Sequence, residues 1–263
     1  MNLHLHEKVV IVLAASKGLG RAVAEKFAEE GAQVVLASRR SDELKKVADD
    51  IAKRTGNPNL YTKTCDITKG EDIKQLVAFT VDMLGKVNVL VNNSGGPPAG
   101  GIEQFTDEDW QRAYELNLLS YVRAIREVVP HMQAQGGGHI ANIASSSIKQ
   151  TLESLLLSNT FRAGVAGLSK SLSQELAKDN ILINTIGPGR IATDRLLELD
   201  DRKAEQLHQS REEVRMKEEQ SIPLGRYGTP EEFANQLVFL CSGANTYVTG
   251  QALIVDGGLV KAL

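Results

Sequence analysis

The chain has 263 residues, of which 42% are hydrophobic and 24% charged, and its 30 basic and 33 acidic side chains give a formal net charge of −3. This composition predicts one soluble globular domain, and its balanced charge gives no electrostatic basis for binding nucleic acid or an anionic membrane. Cys65 and Cys241 form neither a CxxC pair nor a metal-ligand spacing with histidine, so we expect a reducing compartment and no metal site. The polar N-terminus and the absence of an apolar run near 18 residues predict a cytoplasmic protein without a signal peptide or membrane span.

Strand-like apolar runs alternate with amphipathic helical stretches along the whole chain. We predict seven strands, at Lys8–Leu13, Gln33–Ala37, Leu60–Thr64, Val87–Val91, Gly138–Ala144, Ile181–Ile186 and Ala252–Val255. The predicted helices are Leu19–Glu30, Asp42–Arg54, Lys69–Leu84, Asp107–Gln135, Ser158–Lys178 and Pro230–Leu240. Several strands are near-continuous runs of Val, Ile and Leu, which is typical of parallel strands covered on both faces. The pattern predicts an α/β fold with a doubly wound, seven-stranded parallel sheet and helices on both faces.

One charged segment, from Asp194 to Ser221, interrupts this alternation. An insertion of that length in a compact domain is usually a functional lid or a disordered segment. Its charges favour a solvated helical face over a binding surface. We therefore predict a single domain spanning residues 1–263, with a lid or substrate insertion at about residues 190–223.

The first predicted strand leads into a turn of small residues and then a helix. Such a turn would present backbone N–H groups and the positive end of the helix to a pyrophosphate. Two glycines alone are weak evidence, because any tight turn between a strand and a helix can use them. The position of this turn after the first strand of an alternating chain favours a phosphate cradle. The residues expected to form it are Ala14, Ser16, Lys17, Gly18, Leu19 and Gly20.

An ordered set of motifs over nearly the whole chain resembles the short-chain dehydrogenase/reductase family. The turn is similar to the family's TGxxxGxG motif, with Gly18 and Gly20 at the second and third glycines. The other matching marks are Asp66 after the third strand, Asn92-Asn93-Ser94-Gly95 (NNAG), Asn117, Ser145 after the fifth strand, Pro188 to Thr193 (PGxIxT) and the closing run Thr249 to Gly258. The set looks most like the β-ketoacyl carrier-protein reductase branch. It implies a Rossmann fold, a nicotinamide dinucleotide and a small carbonyl or alcohol substrate.

The resemblance also implies contacts to the cofactor. Asp66 would meet the adenine ring, and Asn92 would support the adenine ribose region. Ile191 and Thr193 would contact the nicotinamide. The remaining implied contacts are Ile67, Ser94, Gly95, Pro188 and Gly189. Asn92 and Asn93 also suit a strand end where side chains bond the nearby backbone, and in the family this structural role coexists with cofactor support.

Two positions of the cradle depart from the family motif. Leu13 and Ala14 occupy its Thr-Gly pair. Alanine resists the positive φ that glycine adopts readily, and leucine lacks the hydroxyl that would brace the turn. We expect weaker binding of the cofactor or a displaced pyrophosphate.

The end of the second predicted strand indicates which dinucleotide binds. An acid there would bond the ribose of NAD and repel a 2′-phosphate. This chain instead has Ser38-Arg39-Arg40, with Lys17 in the cradle, and guanidinium groups match phosphate oxygens. A solvated basic pair at the start of a helix is the alternative. We predict NADP(H) in preference to NAD(H).

The family's chemistry uses a serine and a tyrosine four residues before a lysine. Ser145 occupies the serine position, and its neighbours Ser146 and Ser147 leave this assignment open by one or two residues. The run after the family's lysine resembles Ala163 to Leu172, which places Ser158 at the tyrosine and Arg162 at the lysine. None of the five tyrosines belongs to a YxxxK motif. With Asn117, these residues are the predicted catalytic set: Asn117, Ser145, Ser158 and Arg162.

These replacements change the expected proton chemistry. A phenol ionises near pKa 10, whereas an alkyl hydroxyl is a far weaker acid, and arginine does not relay protons as lysine does. Lys149, Glu153 or Tyr121 would be a substitute donor, although the ring of Tyr121 also suits packing between helices. Leu152 and residues 155–157 would line an apolar pocket or pack against a helix.

Two hypotheses follow. The first is an NADP(H)-dependent, 3-oxoacyl reductase-like oxidoreductase with a non-standard proton path. The second is a catalytically inactive dinucleotide-binding sensor or partner subunit. We favour the first because Asn117, Ser145 and the lid are present. We also expect a homotetramer, or at least a dimer, in which the long helices Asp107–Gln135 and Ser158–Lys178 form the main contact. The resemblance implies this assembly in part. The second helix also has a face of small residues that permits close approach of another helix: Ala163, Gly164, Ala166 and Gly167.

Overall fold

Strands and helices alternate in a computed structural model that describes residues 1–262. The strands are β1 Val9–Leu13, β2 Gln33–Ser38, β3 Leu60–Thr64, β4 Val89–Asn92, β5 Gly138–Ile143, β6 Ile181–Pro188 and β7 Ala252–Val255. The helices are α1 Gly18–Glu29, α2 Ser41–Thr55, α3 Gly70–Leu84, α4 Asp107–Tyr114, α5 Ser120–Ala134, α6 Leu156–Leu176, α7 Asp194–Leu207, α8 Arg211–Ser221 and α9 Pro230–Leu240.

The seven strands form one sheet in the order β3-β2-β1-β4-β5-β6-β7, and every neighbouring pair is parallel. The order reverses between β1 and β4, where the chain crosses from one half of the sheet to the other. In open α/β sheets this switch point, at the carboxyl ends of the strands, is where ligands bind. The predicted doubly wound α/β fold is confirmed.

The composition of β1 follows from the two cores that it separates. Val10 and Val12 pack into the cluster that includes Phe27 and Phe233 of α1 and α9. Ile11 and Leu13 pack into the opposite cluster with residues of α3 and α5. A strand buried on both faces has no polar side, which is why its sequence shows no alternation.

The structure corrects one predicted helix and shows that the charged segment is helical. The predicted helix Asp107–Gln135 is divided, because a π-helical turn at Glu115–Leu119 separates α4 from α5. The charged segment forms α7 and α8. The other predicted elements match the observed bounds within two residues. Among residues 1–262, no helix combines the length and the hydropathy that crossing a bilayer would need.

Candidate functional site

A cleft of about 1430 Å³ opens at the carboxyl ends of the strands. Its walls come from the segments that follow β1 through β6, from the start of α6 and from α7. The volume exceeds the 300–1000 Å³ usual for one small ligand, so a dinucleotide and a substrate have room together. A smaller cavity, about 320 Å³, lies near His139 at the amino ends of the strands and contains none of the predicted site residues.

The turn after β1 has the geometry of a phosphate cradle. Ala14 and Gly18 have φ values of +48° and +55°, in the region that favours glycine. A Cβ on Gly20 would lie 2.4 Å from the carbonyl oxygen of Ala14, so only glycine allows this close approach. Helix α1 begins at Gly18, and the side chain of Lys17 at its N-cap makes no capping hydrogen bond. The first-turn N–H groups of α1 are therefore available to an anion.

The end of β2 also suits a dinucleotide. The Ser38 hydroxyl is buried at the cleft wall, and no hydrogen-bond partner for it is present within residues 1–262. A buried hydroxyl without a partner favours a bound group that supplies one. Arg40 pairs with Glu43 at 2.7 Å, whereas Arg39 is exposed at the cleft and pairs with no acid of the described chain. Arg39 is thus the more available cation.

The structure brings most of the predicted residues together. The predicted cofactor contacts that line the cleft are Ala14, Ser16, Lys17, Gly18, Leu19, Arg39, Arg40, Asp66, Ile67, Ser94, Gly95, Pro188, Gly189, Ile191 and Thr193. The predicted catalytic residues Ser145, Ser158 and Arg162 line it as well. Gly20, Asn92 and Asn117 are buried behind its wall. These three residues support the cleft from behind.

The side chain of Asn92 belongs to a buried hydrogen-bond network that the sequence did not reveal. Its Nδ2 donates to Oδ1 of Asn142 at 2.7 Å. Asn142 in turn donates to Ser169 at 2.8 Å, and the hydroxyl of Thr185 lies 2.7 Å from that of Ser169. The network joins β4, β5 and β6 to α6, and it therefore fixes the helix that bears Ser158 and Arg162.

A second buried network surrounds Arg162, which is 4% exposed. Its Nη1 donates to the phenol oxygen of Tyr121 at 2.8 Å and to the carbonyl oxygen of Ile143 at 2.9 Å. Its Nη2 donates to the hydroxyl of Ser94 at 3.2 Å. The phenol of Tyr121 donates its own proton to the carbonyl of Ile143 at 2.8 Å. Tyr121 is completely buried, so it anchors Arg162 and has no proton to offer the cleft.

Asn117 connects this network to the loop after β4. Its Nδ2 donates to the hydroxyl of Ser94 at 2.9 Å and to the carbonyl of Gly95 at 2.8 Å. With Asn117 and Arg162 both donating to it, the Ser94 oxygen has both lone pairs engaged. The proton of Ser94 is then left for donation, to Tyr121 at 3.4 Å or into the cleft.

The two remaining hydroxyls lie on adjoining elements. Ser145 follows β5, and its Oγ accepts from the backbone N–H of Ser147 at 3.1 Å. Ser158 lies one turn before Arg162 on α6, so both occupy the same helix face. Cys65 also borders the cleft, but burial, helped by the nearby carboxylates of Asp72 and Asp66, raises its thiol pKa to about 12. A protonated thiol is a poor nucleophile.

Helices α7 and α8 cover one side of the cleft through a charged network. Arg190, the third residue of the PGxIxT-like run, contacts Asp200 at 3.0 Å and Glu218 at 2.7 Å. The phenol of Tyr227 donates to Asp200 at 3.0 Å. Arg195 of α7 donates to the carbonyl of Pro97 at 2.9 Å and so reaches the loop after β4. The sequence predicted the exposed face of this segment but not its buried ion pair.

Comparison with known proteins places this site in a family. A family model described as Enoyl-(Acyl carrier protein) reductase matches residues 13–260. The chain is 35% identical to 7alpha-hydroxysteroid dehydrogenase of Escherichia coli (strain K12), over 100% of this chain and 98% of that protein. It is 32% identical to 3-oxoacyl-[acyl-carrier-protein] reductase FabG of Aquifex aeolicus (strain VF5), over 98% of this chain and 100% of that protein.

Solved structures agree with these relatives. The structure of L-sorbose reductase from Gluconobacter frateurii, complexed with NADPH and L-sorbose, covers 100% of both chains with a TM-score of 0.94 at 34% identity. A 7 alpha-hydroxysteroid dehydrogenase complexed with NADH and 7-oxo glycochenodeoxycholic acid has a TM-score of 0.88 at 34% identity, over 98% of this chain and 96% of that one. With its fold, its cleft and these relatives, the chain belongs to the short-chain dehydrogenase/reductase family of oxidoreductases, whose members act on carbonyl and alcohol substrates.

Proposed function

We propose that the protein is an NADP(H)-dependent oxidoreductase that interconverts a carbonyl and an alcohol on a small molecule, in the manner of a 3-oxoacyl reductase. The observation that supports this best is the shared cleft. One end has an uncapped helix N-terminus at Gly18 and an unpaired hydroxyl at Ser38, and the other has Ser145, Ser158 and Arg162. The domain includes the lid at about residues 190–223.

The preference for NADP(H) rests on the cations near the adenosine end. Arg39 and Lys17 line the cleft where a 2′-phosphate would lie, and no acid follows β2 directly. The similar structures contain NADPH in one case and NADH in another, so the family alone does not select between them. Guanidinium recognition of phosphate favours the phosphorylated cofactor.

We further propose that protons move by a non-standard path, with Ser158 and Arg162 at the positions of the family's tyrosine and lysine. The nicotinamide, when bound, supplies or accepts the hydride. Ser145 and Ser158 would hold the substrate oxygen, and the permanent charge of Arg162 would stabilise negative charge that develops on it. Glu153 lies exposed at the cleft, whereas Lys149 does not line the cleft.

A screen of ketones, aldehydes and alcohols with NADPH or NADP⁺ tests this proposal. We expect cofactor-dependent conversion of at least one class, and a fall in kcat in Ser145→Ala, because that hydroxyl contacts the reacting oxygen. Saturable cofactor binding with no conversion of any compound would instead favour the inactive sensor or partner subunit.

We also propose a homotetramer, or at least a dimer, in the cytoplasm, with α4, α5 and α6 as the main contact. Ala163 and Gly167 are exposed on α6, and nothing lies within 4 Å of a Cβ built on Gly167. Such a surface permits close approach of another helix. Light scattering at micromolar concentration should give a mass at least twice that of the 28.5 kDa chain. A monomeric mass would contradict this assembly.

A further inference from the structure

Leucine side chains from three separate segments line the cleft beside α6 and the lid. Among them are Leu152 and Leu155 in the loop before α6, Leu196 and Leu199 of α7, and Leu259 in the segment after β7. In the loop before α6, Thr151 and Glu153 are exposed, whereas Leu152 between them is half-buried. The apolar side chain turns away from the solvent, and a ligand that covers it would bury further apolar area.

The segment after β7 holds Leu259 in a tight turn. The carboxylate of Asp256 accepts the backbone N–H of Gly258 at 2.9 Å and that of Val260 at 2.7 Å. The backbone N–H of Leu259 also donates to the carbonyl oxygen of Asp256 at 3.4 Å. Asp256 thus fixes the backbone on both sides of Leu259, and the fold sets the position of this side chain.

The side chain of Leu259 contacts both the lid and the cleft. It packs against a cluster of buried residues, which are Leu196 of α7, Ile222 and Tyr227. Leu196 is 8% exposed, so its side chain is largely used by this cluster. Leu259 is half-buried and lines the cleft, so part of its side chain is open to a ligand. Leu259 can therefore be exchanged with less effect on the packing of the lid.

The loop before α6 is also held in place. The side chain of Asn159 bonds both backbone groups of Leu152: its Oδ1 accepts the N–H at 3.2 Å, and its Nδ2 donates to the carbonyl oxygen at 2.9 Å. The N–H of Gly100 donates to the carbonyl oxygen of Ser154 at 2.6 Å, which joins this loop to the loop after β4. Leu152 therefore has a fixed position, as a preformed ligand pocket needs.

One hydrogen bond joins the two segments. The N–H of Lys261 donates to Oε1 of Gln150 at 3.3 Å. Leu259 precedes Lys261 by two residues and Leu152 follows Gln150 by two, so each leucine lies no more than about 7 Å along the chain from a bonded residue. Leu152, Leu259 and Leu196 thus come from segments that contact one another, and together they form a leucine wall of the cleft.

The leucine wall borders the place of the proposed reaction. Asn159, which fixes Leu152, directly follows Ser158. Thr193, a predicted contact of the nicotinamide, caps α7, and its hydroxyl accepts the backbone N–H of Leu196 at 3.4 Å. A substrate whose carbonyl lies between Ser158 and the nicotinamide would therefore have its neighbouring group against the wall.

We infer that Leu259 is a specificity-determining residue, which packs with Leu152 against an unbranched apolar group on the substrate carbonyl and limits the length of that group. The inference rests on the proposed function and names the part of the substrate that the same site selects. A cleft for a sugar or polyol would instead show no dependence on the length of an alkyl chain at this position.

The test uses a homologous series from methyl 3-oxobutanoate to methyl 3-oxododecanoate, reduced with NADPH. We expect kcat/KM to rise roughly fourfold with each added methylene until the chain reaches the wall, and to fall beyond that length. Leu259→Ala and Leu152→Ala should each move this optimum to a chain longer by about two carbons, because the truncation leaves space for added methylenes. Leu259→Trp should move it to a shorter chain because the larger ring fills that space. An optimum at the same length in the parent and both Leu259 variants would overturn the inference.

A binding measurement gives a readout that does not need turnover. Calorimetric titration with straight-chain alkanols, from 1-butanol to 1-decanol, should show the same shifts in preferred length, with and without NADP⁺. If no ester is reduced, these alkanol profiles decide. Failure of NADP(H) to bind would contradict the proposed function. Alkanols that do not bind, or that bind with the same length dependence in the parent and both Leu259 variants, would contradict this inference alone.

Leu224→Ala is the matched control. Leu224 is 67% exposed and does not line the cleft, yet its Cβ lies 3.5 Å from a Cβ built on Gly257, in the same segment as Leu259. This variant should keep the optimum of the parent protein. Circular dichroism should first show that each variant is folded, and an unchanged affinity for NADPH should show that the cofactor end is intact. If folded Leu224→Ala shifts the optimum as far as Leu259→Ala, loosening of this segment accounts for the shift and the inference is wrong.

Discussion

The role of Tyr121 can be tested by removing one atom. In Tyr121→Phe, Arg162 loses the acceptor at 2.8 Å and Ile143 loses the phenol donor, while the ring stays in place. Arg162 keeps its bond to Ile143, so one N–H of a buried cation is left without a partner. Hydrogen bonds to charged groups contribute about 1.5–3 kcal/mol. We expect the free energy of unfolding to fall by about 2 kcal/mol and Tm to fall by roughly 4–8 °C.

Kinetics separate anchoring from proton donation. An anchor acts through the placement of Arg162, and we expect kcat to fall by less than about tenfold. Loss of a general acid would lower it by about 10²–10⁴. Tyr61→Phe is the control for loss of a phenol hydroxyl, because that half-buried ring packs against a hydrophobic cluster that does not include Tyr121 and makes no hydrogen bond within the described residues. A stable Tyr121→Phe protein whose kcat falls a thousandfold would refute the assignment of Tyr121 as an anchor.

Four further variants probe the cofactor site and the altered catalytic pair. Arg39→Ala should weaken NADPH binding at least tenfold and leave NADH binding nearly unaffected, whereas Arg40→Ala should weaken NADPH binding less because Arg40 already pairs with Glu43. Isothermal titration measures both affinities, and equal affinity of the parent protein for NADPH and NADH would contradict the predicted preference. Ala14→Gly should raise the free energy of unfolding by about 0.5–1 kcal/mol in urea titrations, since it relieves a positive φ, and a loss of stability would show that the methyl group is needed. The double change Ser158→Tyr with Arg162→Lys should raise the rate of NADPH-dependent carbonyl reduction tens-fold or more, and either single change should raise it less. A double variant that folds and binds the cofactor but shows no gain in rate would count against the correspondence with the family's tyrosine and lysine.

The fold was predictable because local patterns and burial agree. Strands such as β1 are apolar on both faces, and helices such as α9 begin at a clear capping residue, Thr229, followed by proline. The conformation of Ala14 was also predictable, since the turn needs positive φ whatever residue stands there.

The interior of the site was less predictable because its partners are distant in sequence. The π-helical turn at Glu115–Leu119 has no breaker residue, and it coincides with the contact of Asn117 to the loop after β4. The pairing of Tyr121 with Arg162 joins residues 41 positions apart. Burial of the ring was foreseeable from its helix, but the partner of its hydroxyl was not.

The proposed function depends on NADP(H) binding in the cleft at the carboxyl ends of the strands. Equilibrium titration of the purified protein with NADPH and with NADH, followed by Trp110 fluorescence and by the emission of the reduced cofactor, tests it directly. We expect saturable binding of one NADPH per chain, with an affinity at least tenfold higher than for NADH. A folded protein that binds neither cofactor at millimolar concentration would contradict it.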